Sequence, residues 1–427
     1  MKKRTIILLI FSSLLSSISF AQEPITLQQC LDLASNNALQ FAQQDAGIKN
    51  AELNQKYHPF SLLPNLSAST GVNTSFGRRV DPFTNTFATS AVNSQSFGLN
   101  SGMTLFNGFR YFSNRKTFDF QLLQQELSLQ TKQNELHIRV IETYIDLCKQ
   151  TVQLELAKVR IEKYKQIQAI QLLLIRGGKI ASVDTLKSRN SLLNEEVLLS
   201  KLGSEKRLKN LQLNFLIGVP LATDHSFVLL SISEITSLPK FVESFELEKL
   251  AIEVELNQTQ LNADRSTILP TLSLNGNLGT GFSTNNKDYS QLGNPTKPYN
   301  TQINQNLYEG IGFYLSVPLF SRGAWFKTKE LNRVKESELT QFKQLAELTL
   351  DMKKMEREQQ LVTKKGELLQ VEQIGLNLQL IYDKMVLLYK EGRTTYTEVE
   401  TTFLEWQMKL VESEGMKLDL EMLKIYK

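Results

Sequence analysis

The sequence predicts a mainly helical chain carrying four membrane-type β-strands, built as two copies of one long unit. Three observations predict this: an internal repeat, short runs of strict two-residue alternation, and long proline-free helical runs. In the repeat, Leu63-Pro64-Asn65-Leu66-Ser67 recurs as Leu269-Pro270-Thr271-Leu272-Ser273, an offset of 206. Leu105-Phe106-Asn107 recurs as Leu319-Phe320-Ser321, and Gly178 with Asp184 recurs as Gly392 with Glu398, both at 214. Three ordered matches define two equivalent structural levers, with eight residues inserted between the first two markers of the second copy.

The N-terminus reads as an export signal over 1–21. Lys2, Lys3 and Arg4 precede the apolar run Ile6 to Phe11, and Ser19-Phe20-Ala21 supplies small residues for cleavage. Removing those three cations takes the formal net charge from +4 to +1, so the basic balance is mostly a targeting charge and gives no support for nucleic acid. Plentiful apolar residues (41%) exclude wholesale disorder, and two cysteines exclude a disulfide scaffold. Beyond the leader no stretch of about 18 uncharged apolar residues occurs, which excludes a helical membrane protein.

Short helices are expected over 27–57 and 246–266, ending near Pro64 and Pro270. Strands follow at about 65–77, 96–106, 271–282 and 310–320. In the first, Leu66, Ala68, Thr70, Val72, Thr74 and Phe76 oppose Ser67, Ser69, Gly71, Asn73 and Ser75. The fourth sets Ile311, Phe313, Leu315, Val317 and Leu319 against Gly310, Gly312, Tyr314 and Ser316. Such lengths suit tilted strands crossing a bilayer, and the small polar face suits a water-filled lumen. Polar loops at roughly 79–94 and 283–306 join each pair. Tyr57, Phe60, Phe106, Phe109, Tyr111, Phe112, Trp325 and Phe326 read as an interfacial aromatic belt.

From 108 to 176 the pattern is helical without a break, about 100 Å long. Its stripe Ile138, Ile141, Ile145, Cys148, Val152 has the counterpart Met352, Met355, Gln359, Val362. Gly178 and Gly392 break the long helices, and returning helices occupy about 182–217 and 395–425. The chain thus divides into a first repeat (22–218), an irregular connection (219–245) and a second repeat (246–427). Four strands with one lipid-facing side would leave two bare edges in hydrocarbon, so the strands must join a barrel shared with other copies. A dimer would supply eight strands and a trimer twelve; the residues alone do not choose.

The ordered set Ile25-Thr26-Leu27, Leu31, Ala34-Ser35-Asn36-Asn37, Leu63-Pro64-Asn65-Leu66-Ser67, Leu105-Phe106-Asn107-Gly108 and Leu216-Ile217-Gly218-Val219-Pro220, with its second-half copies, resembles the TolC-like outer membrane efflux protein family. The resemblance covers nearly the whole mature chain. It implies a homotrimer in the cell outer membrane, with a twelve-stranded β-barrel above an α-helical coiled-coil barrel in the periplasm. It also implies a passive exit duct for a tripartite efflux or type I secretion system, opened by contact with a periplasmic adaptor and an inner-membrane transporter. By the same resemblance, the turns at Gly178 and Gly392, with Arg393, meet the adaptor, and Asp184, Tyr389 and Glu398 close the periplasmic constriction. Two departures stand out: Arg393 comes one residue after the glycine rather than two, and Thr401 occupies the place of a second ring acid. The two glycines also serve as positive-φ turn residues, and an acid near a helix start also serves as a dipole cap.

Catalytic signatures are absent from the sequence. Gly178-Lys179-Ile180 is no phosphate loop, His58, His137 and His225 are scattered, and no Gly-x-Ser-x-Gly occurs. No enzyme activity, cofactor or metal is expected. The competing reading is a non-transporting periplasmic coiled-coil scaffold or adaptor with soluble hairpins.

Overall fold

A computed structural model describes residues 24–81, 83–88, 91–178, 182–225 and 245–425. The export signal, and the connection from 226 to 244, lie outside the described residues. The chain forms two compact units, one from Gln44–Ser128 with Glu246–Glu347, the other from Met1–Gln43, Leu129–Phe245 and Leu348–Lys427.

The first unit carries a four-stranded antiparallel sheet of β1 (Asn65–Ser75), β4 (Val92–Asn107), β5 (Thr271–Ser283) and β6 (Tyr308–Ser316), in the order β1-β4-β5-β6. A two-residue pair, β2 (Arg79–Val80) and β3 (Phe87–Ala88), sits in the loop after β1. The two repeats meet where β4 pairs with β5. Register aligns rows of small and polar residues across all four strands. Ser67, Asn100, Asn277 and Gly310 form one row, and Asn65, Gly102, Asn275 and Gly312 another. On the opposite face Leu272 meets Leu315, Leu274 meets Phe313, and Leu99 lies between Ala68 and Leu278. The apolar face is open: Leu66 is 70% exposed, Val72 75% and Ile311 80%. Both outer strands, β1 and β6, leave a free edge in the single chain.

The alternation breaks once. Thr104 pairs with Ser273 and Phe106 with Leu272, so Leu105 is the extra residue of a β-bulge. Phe106 therefore takes the apolar register that uninterrupted alternation assigns to Leu105. β6 stops before Pro318, whose nitrogen has no hydrogen to donate. Each repeat then turns from strand to helix through two consecutive positive-φ residues, Gly108-Phe109 (63° and 66°) and Arg322-Gly323 (50° and 74°). A Cβ at Gly108 would lie 2.7 Å from that of Leu269, so close approach reinforces the need for glycine there.

α2 (Ala38–Tyr57) and α5 (Phe245–Arg265) precede the hairpins, and α6 (Tyr299–Gln305) lies in the loop before β6. α3 (Arg110–Arg176) and α7 (Ala324–Lys390) each contain 67 residues, and their ends coincide at the offset of 214. α4 (Ser182–Ile217) and α8 (Tyr396–Ile425) return from them. No helix among the described residues is long and apolar enough to cross a membrane.

In the second unit, α1 (Leu27–Ser35) starts at a capping box between Thr26 and Gln29. Its Leu27, Cys30, Leu31 and Ala34 pack on Val140, Ile141, Tyr144, Ile145 and Cys148 of α3 and on Leu213, Leu216 and Ile217 of α4. The Tyr144 hydroxyl donates to the Ile25 carbonyl at 2.9 Å. Neither cysteine forms a disulfide, both are fully buried, and burial, then Cys148, pushes the Cys30 thiol up to about 12. The α3 stripe is thus covered, whereas Met352, Met355 and Val362 of α7 are 51%, 70% and 71% exposed.

Candidate functional site

The two helical turns are built differently from similar parts. α7 ends with the Gly392 N–H donating to the Tyr389 carbonyl and the Arg393 N–H to that of Leu388, both at 2.9 Å. These bonds, with φ of +77° at Gly392, form a Schellman stop. Gly178 has φ of +68° and donates to the Ile175 carbonyl at 2.9 Å. Neither glycine has an atom within 4 Å of an added Cβ, so backbone conformation alone selects glycine at these turns. Arg393 is exposed and lies 3.5 Å from Glu391.

The predicted gate residues have distinct surroundings. Asp184 is in the first turn of α4, and its side chain lies outside the described residues. Tyr389 is buried (3% exposed) in an apolar cluster with Leu174, Tyr382, Tyr396, Val399 and Phe403. Glu398 is exposed and belongs to a capping box. Its carboxylate accepts from the Thr395 N–H at 3.2 Å and from the Thr394 hydroxyl, while its own N–H donates to Thr395 Oγ1 at 3.3 Å. The Thr394 hydroxyl, then the Thr395 N–H, hold the Glu398 carboxyl below its ordinary value.

Within that cluster the two helical hairpins pack around a carboxylate. Tyr164 of α3 and Tyr396 of α8, each 1% exposed, both lie close to the Glu400 carboxylate, and the Tyr396 hydroxyl is buried without a hydrogen-bond partner. Burial, then the Glu400 carboxylate, pushes both phenols up, so they stay neutral. Beside them Arg160 Nε lies 2.9 Å from Glu195 Oε2, both 9% exposed, and Ser188 donates to Gln171 at 2.5 Å; these bonds tie α3 to α4. Ring packing completes the cluster, with Tyr382 and Trp406 stacked at 5.6 Å and Tyr164 edge-on to Phe403 at 6.3 Å. Lower down, Asp419 of α8 is bonded to Lys149 of α3 and Lys364 of α7, the latter at 3.2 Å.

Sequence reasoning misses Tyr164, Tyr396 and Glu400. Only Tyr396 and Glu400 left a signal, since their spacing of four places both on one face of a helix that starts just after Gly392. The arrangement offers no nucleophile–base pair. Among the described residues no group of three His, Cys, Asp or Glu could hold a metal. What it provides is a set of breakable polar contacts between two hairpins.

The model of the outer membrane efflux protein family matches residues 30–219. No curated protein matches the chain. Among solved structures, the outer membrane protein VceC of Vibrio cholerae is 12% identical with a TM-score of 0.73, covering 93% of this chain and 95% of its own. The Campylobacter jejuni CmeC outer membrane channel is 16% identical with a TM-score of 0.71, covering 96% and 89%. The open state of the Neisseria gonorrhoeae MtrE outer membrane channel is 13% identical with a TM-score of 0.67, covering 93% and 86%. The outer membrane efflux protein model thus matches the first repeat, and the chain shares the fold of these outer membrane channels over nearly its whole length.

Proposed function

We propose that the chain is the outer-membrane exit duct of a tripartite efflux or type I secretion system, passive in itself and opened by a periplasmic adaptor and an inner-membrane transporter. The observation that carries this reading is the sheet register. Four strands hold one mainly apolar face, open over much of its area, and one mainly small, polar face, and among the described residues they end in two unpaired edges. Lipid on the first face, water on the second and further copies at the edges would satisfy all three surfaces. Three copies would close twelve strands, and the uncovered stripe of α7 would then pack against a neighbour's helices. A scaffold with soluble hairpins leaves that apolar face unexplained.

In this reading the first repeat (22–218) and second repeat (246–427) contribute equivalent hairpins joined by 219–245. Gly178, Gly392 and Arg393 are the surfaces the adaptor meets. Asp184 and Glu398 line the periplasmic constriction, Tyr389 is buried in the cluster behind them, and the packing of Tyr164 with Glu400 and Phe403 is the catch between the hairpins that adaptor contact releases. Detergent extraction followed by mass measurement tests the architecture: an outer-membrane fraction yielding a trimer is expected. A stable monomer, or recovery in the soluble periplasmic fraction, overturns it.

A further inference from the structure

The small polar face of the sheet is open along β1, where Ser67, Ser69, Gly71 and Asn73 are all exposed. Toward the loop end of β4 and β5 it is covered. Val92 is 2% exposed, Ser94 9% and Ser283 0%. All three side chains belong to that same face, since Val92 pairs with Ser75 and Ser94 with both Asn73 and Ser283.

The loop after β1 supplies the cover. Asp81 is fully buried there; it accepts the Ser283 hydroxyl on one oxygen and the N–H groups of Phe83 (2.9 Å) and Thr84 (3.1 Å) on the other. The Phe83 ring stands directly over Gly281 of the same face, where an added Cβ would come within 2.1 Å of it. Asn285 fastens the loop further by donating to Thr84 Oγ1 at 3.3 Å and Thr86 Oγ1 at 3.2 Å.

The longer loop takes a different place. Asn306 donates to the Gly281 carbonyl at 2.8 Å, and Gln302 bonds both the N–H and the carbonyl of Ser283, which pairs the β5 edge beyond the end of β6. Thr280, Phe282 and Gln95, all on the apolar face, meet Ile303 and Tyr299 of this loop. The two loops therefore lie against opposite faces of one sheet.

We propose that the β1–β4 loop, held by Asp81 and Phe83, folds inward and narrows the external mouth of the duct, one loop per copy. The proposal rests on the duct reading, which assigns the small polar face to the lumen. An accessibility experiment separates the two. Ser67→Cys on the polar face and Val72→Cys on the apolar face are treated on intact cells with a small cationic methanethiosulfonate or with a bulky polyethylene-glycol maleimide. The native cysteines are buried.

With the native loop, the small reagent is expected to label Ser67→Cys and the bulky one to fail. Replacing 78–88 by a short Gly-Ser turn, or the milder pair Asp81→Ala and Phe83→Ser, is expected to admit the bulky reagent. Bulky-reagent labelling that is the same with native and altered loops, whether high or low, overturns the inward loop while small-reagent labelling of Ser67→Cys upholds the duct. Small-reagent labelling of Val72→Cys but not Ser67→Cys overturns the duct reading itself, and this proposal with it.

Discussion

Tyr164 of the first helical hairpin stands edge-on to the fully buried Phe403 of the second at 6.3 Å, with the Glu400 carboxylate close to its hydroxyl. A phenol that gives its hydrogen to a carboxylate in a water-poor cluster makes a charge-assisted bond. Tyr164→Phe keeps the ring packing and removes only the hydroxyl. It is expected to cost about 1–3 kcal/mol of hairpin association and to raise single-channel conductance in planar bilayers. The Tyr396 hydroxyl is buried near the same carboxylate but without a hydrogen-bond partner, so Tyr396→Phe should cost less, and the double variant should behave like Tyr164→Phe. Unchanged conductance in all three would remove the catch from this link.

The pair Arg160–Glu195 poses a separate question, because it ties α3 to α4 rather than hairpin to hairpin. Its side chains are 11% and 12% exposed, so removing one charge leaves the other buried without a counter-charge. Glu195→Ala should cost about 3–5 kcal/mol, whereas the double change Arg160→Met with Glu195→Leu should be close to neutral. Thermal unfolding in detergent reads both, and equal losses in the two variants would contradict this account.

Much of the architecture is legible in the residues. The offset of 214 already contains the matched 67-residue helices, because no residue is gained or lost between Asn107 and Gly178 or their copies. Two-residue alternation locates the strands, but it cannot see the bulge at Leu105, since an inserted residue changes register without changing composition. The capping role of Glu398 is readable as Thr395-x-x-Glu398. The approach of Tyr164 to Glu400 and Phe403 is not, because it depends on how two long helices rotate about their own axes. Likewise the stripe of α7 has the spacing of the α3 stripe but not its burial; the difference lies in α1, whose Leu27, Cys30 and Leu31 cover only the latter.

Asp419 carries a defined acid dependence. Burial raises its pKa, but the hydrogen bonds and charges of Lys149 and Lys364 outweigh burial and hold it below the ordinary 3.8. A depressed folded-state value means the stabilisation is fully present above the unfolded value and is lost as pH falls through the folded one. Asp419→Asn is therefore expected to lower stability at neutral pH by about 1 kcal/mol, discounted for its partly solvated position. The difference from the native protein should shrink as pH drops below 3.8. A gap that is constant from pH 7 to acid conditions would show that charge is not its source.

The two faces of the sheet make opposite demands on substitution. Leu99 lies between Ala68 and Leu278 in the apolar register, and Asn100 between Ser67 and Asn277 in the polar one. Leu99→Lys places an ammonium where lipid is expected and should cost about 2–4 kcal/mol at mid-strand, seen as loss of assembled protein from the outer-membrane fraction. Asn100→Lys should assemble normally. Equal tolerance of both would mean that no membrane faces Leu99.

Glu398 has two roles that different substitutions can separate. Its carboxylate closes the capping box with Thr395, and three exposed copies around a constriction would also attract cations and repel anions. Glu398→Gln keeps an acceptor for the Thr395 N–H, so helix stability should change little while the reversal potential in a salt gradient moves toward zero. Glu398→Ala removes both functions and should additionally lower the thermal midpoint. Because Thr394 and Thr395 hold this carboxyl below its ordinary 4.5, the cation preference of the native duct should persist through mildly acid pH and fade only as the carboxylate protonates. A reversal potential unmoved by Glu398→Gln would leave the residue as a helix cap alone.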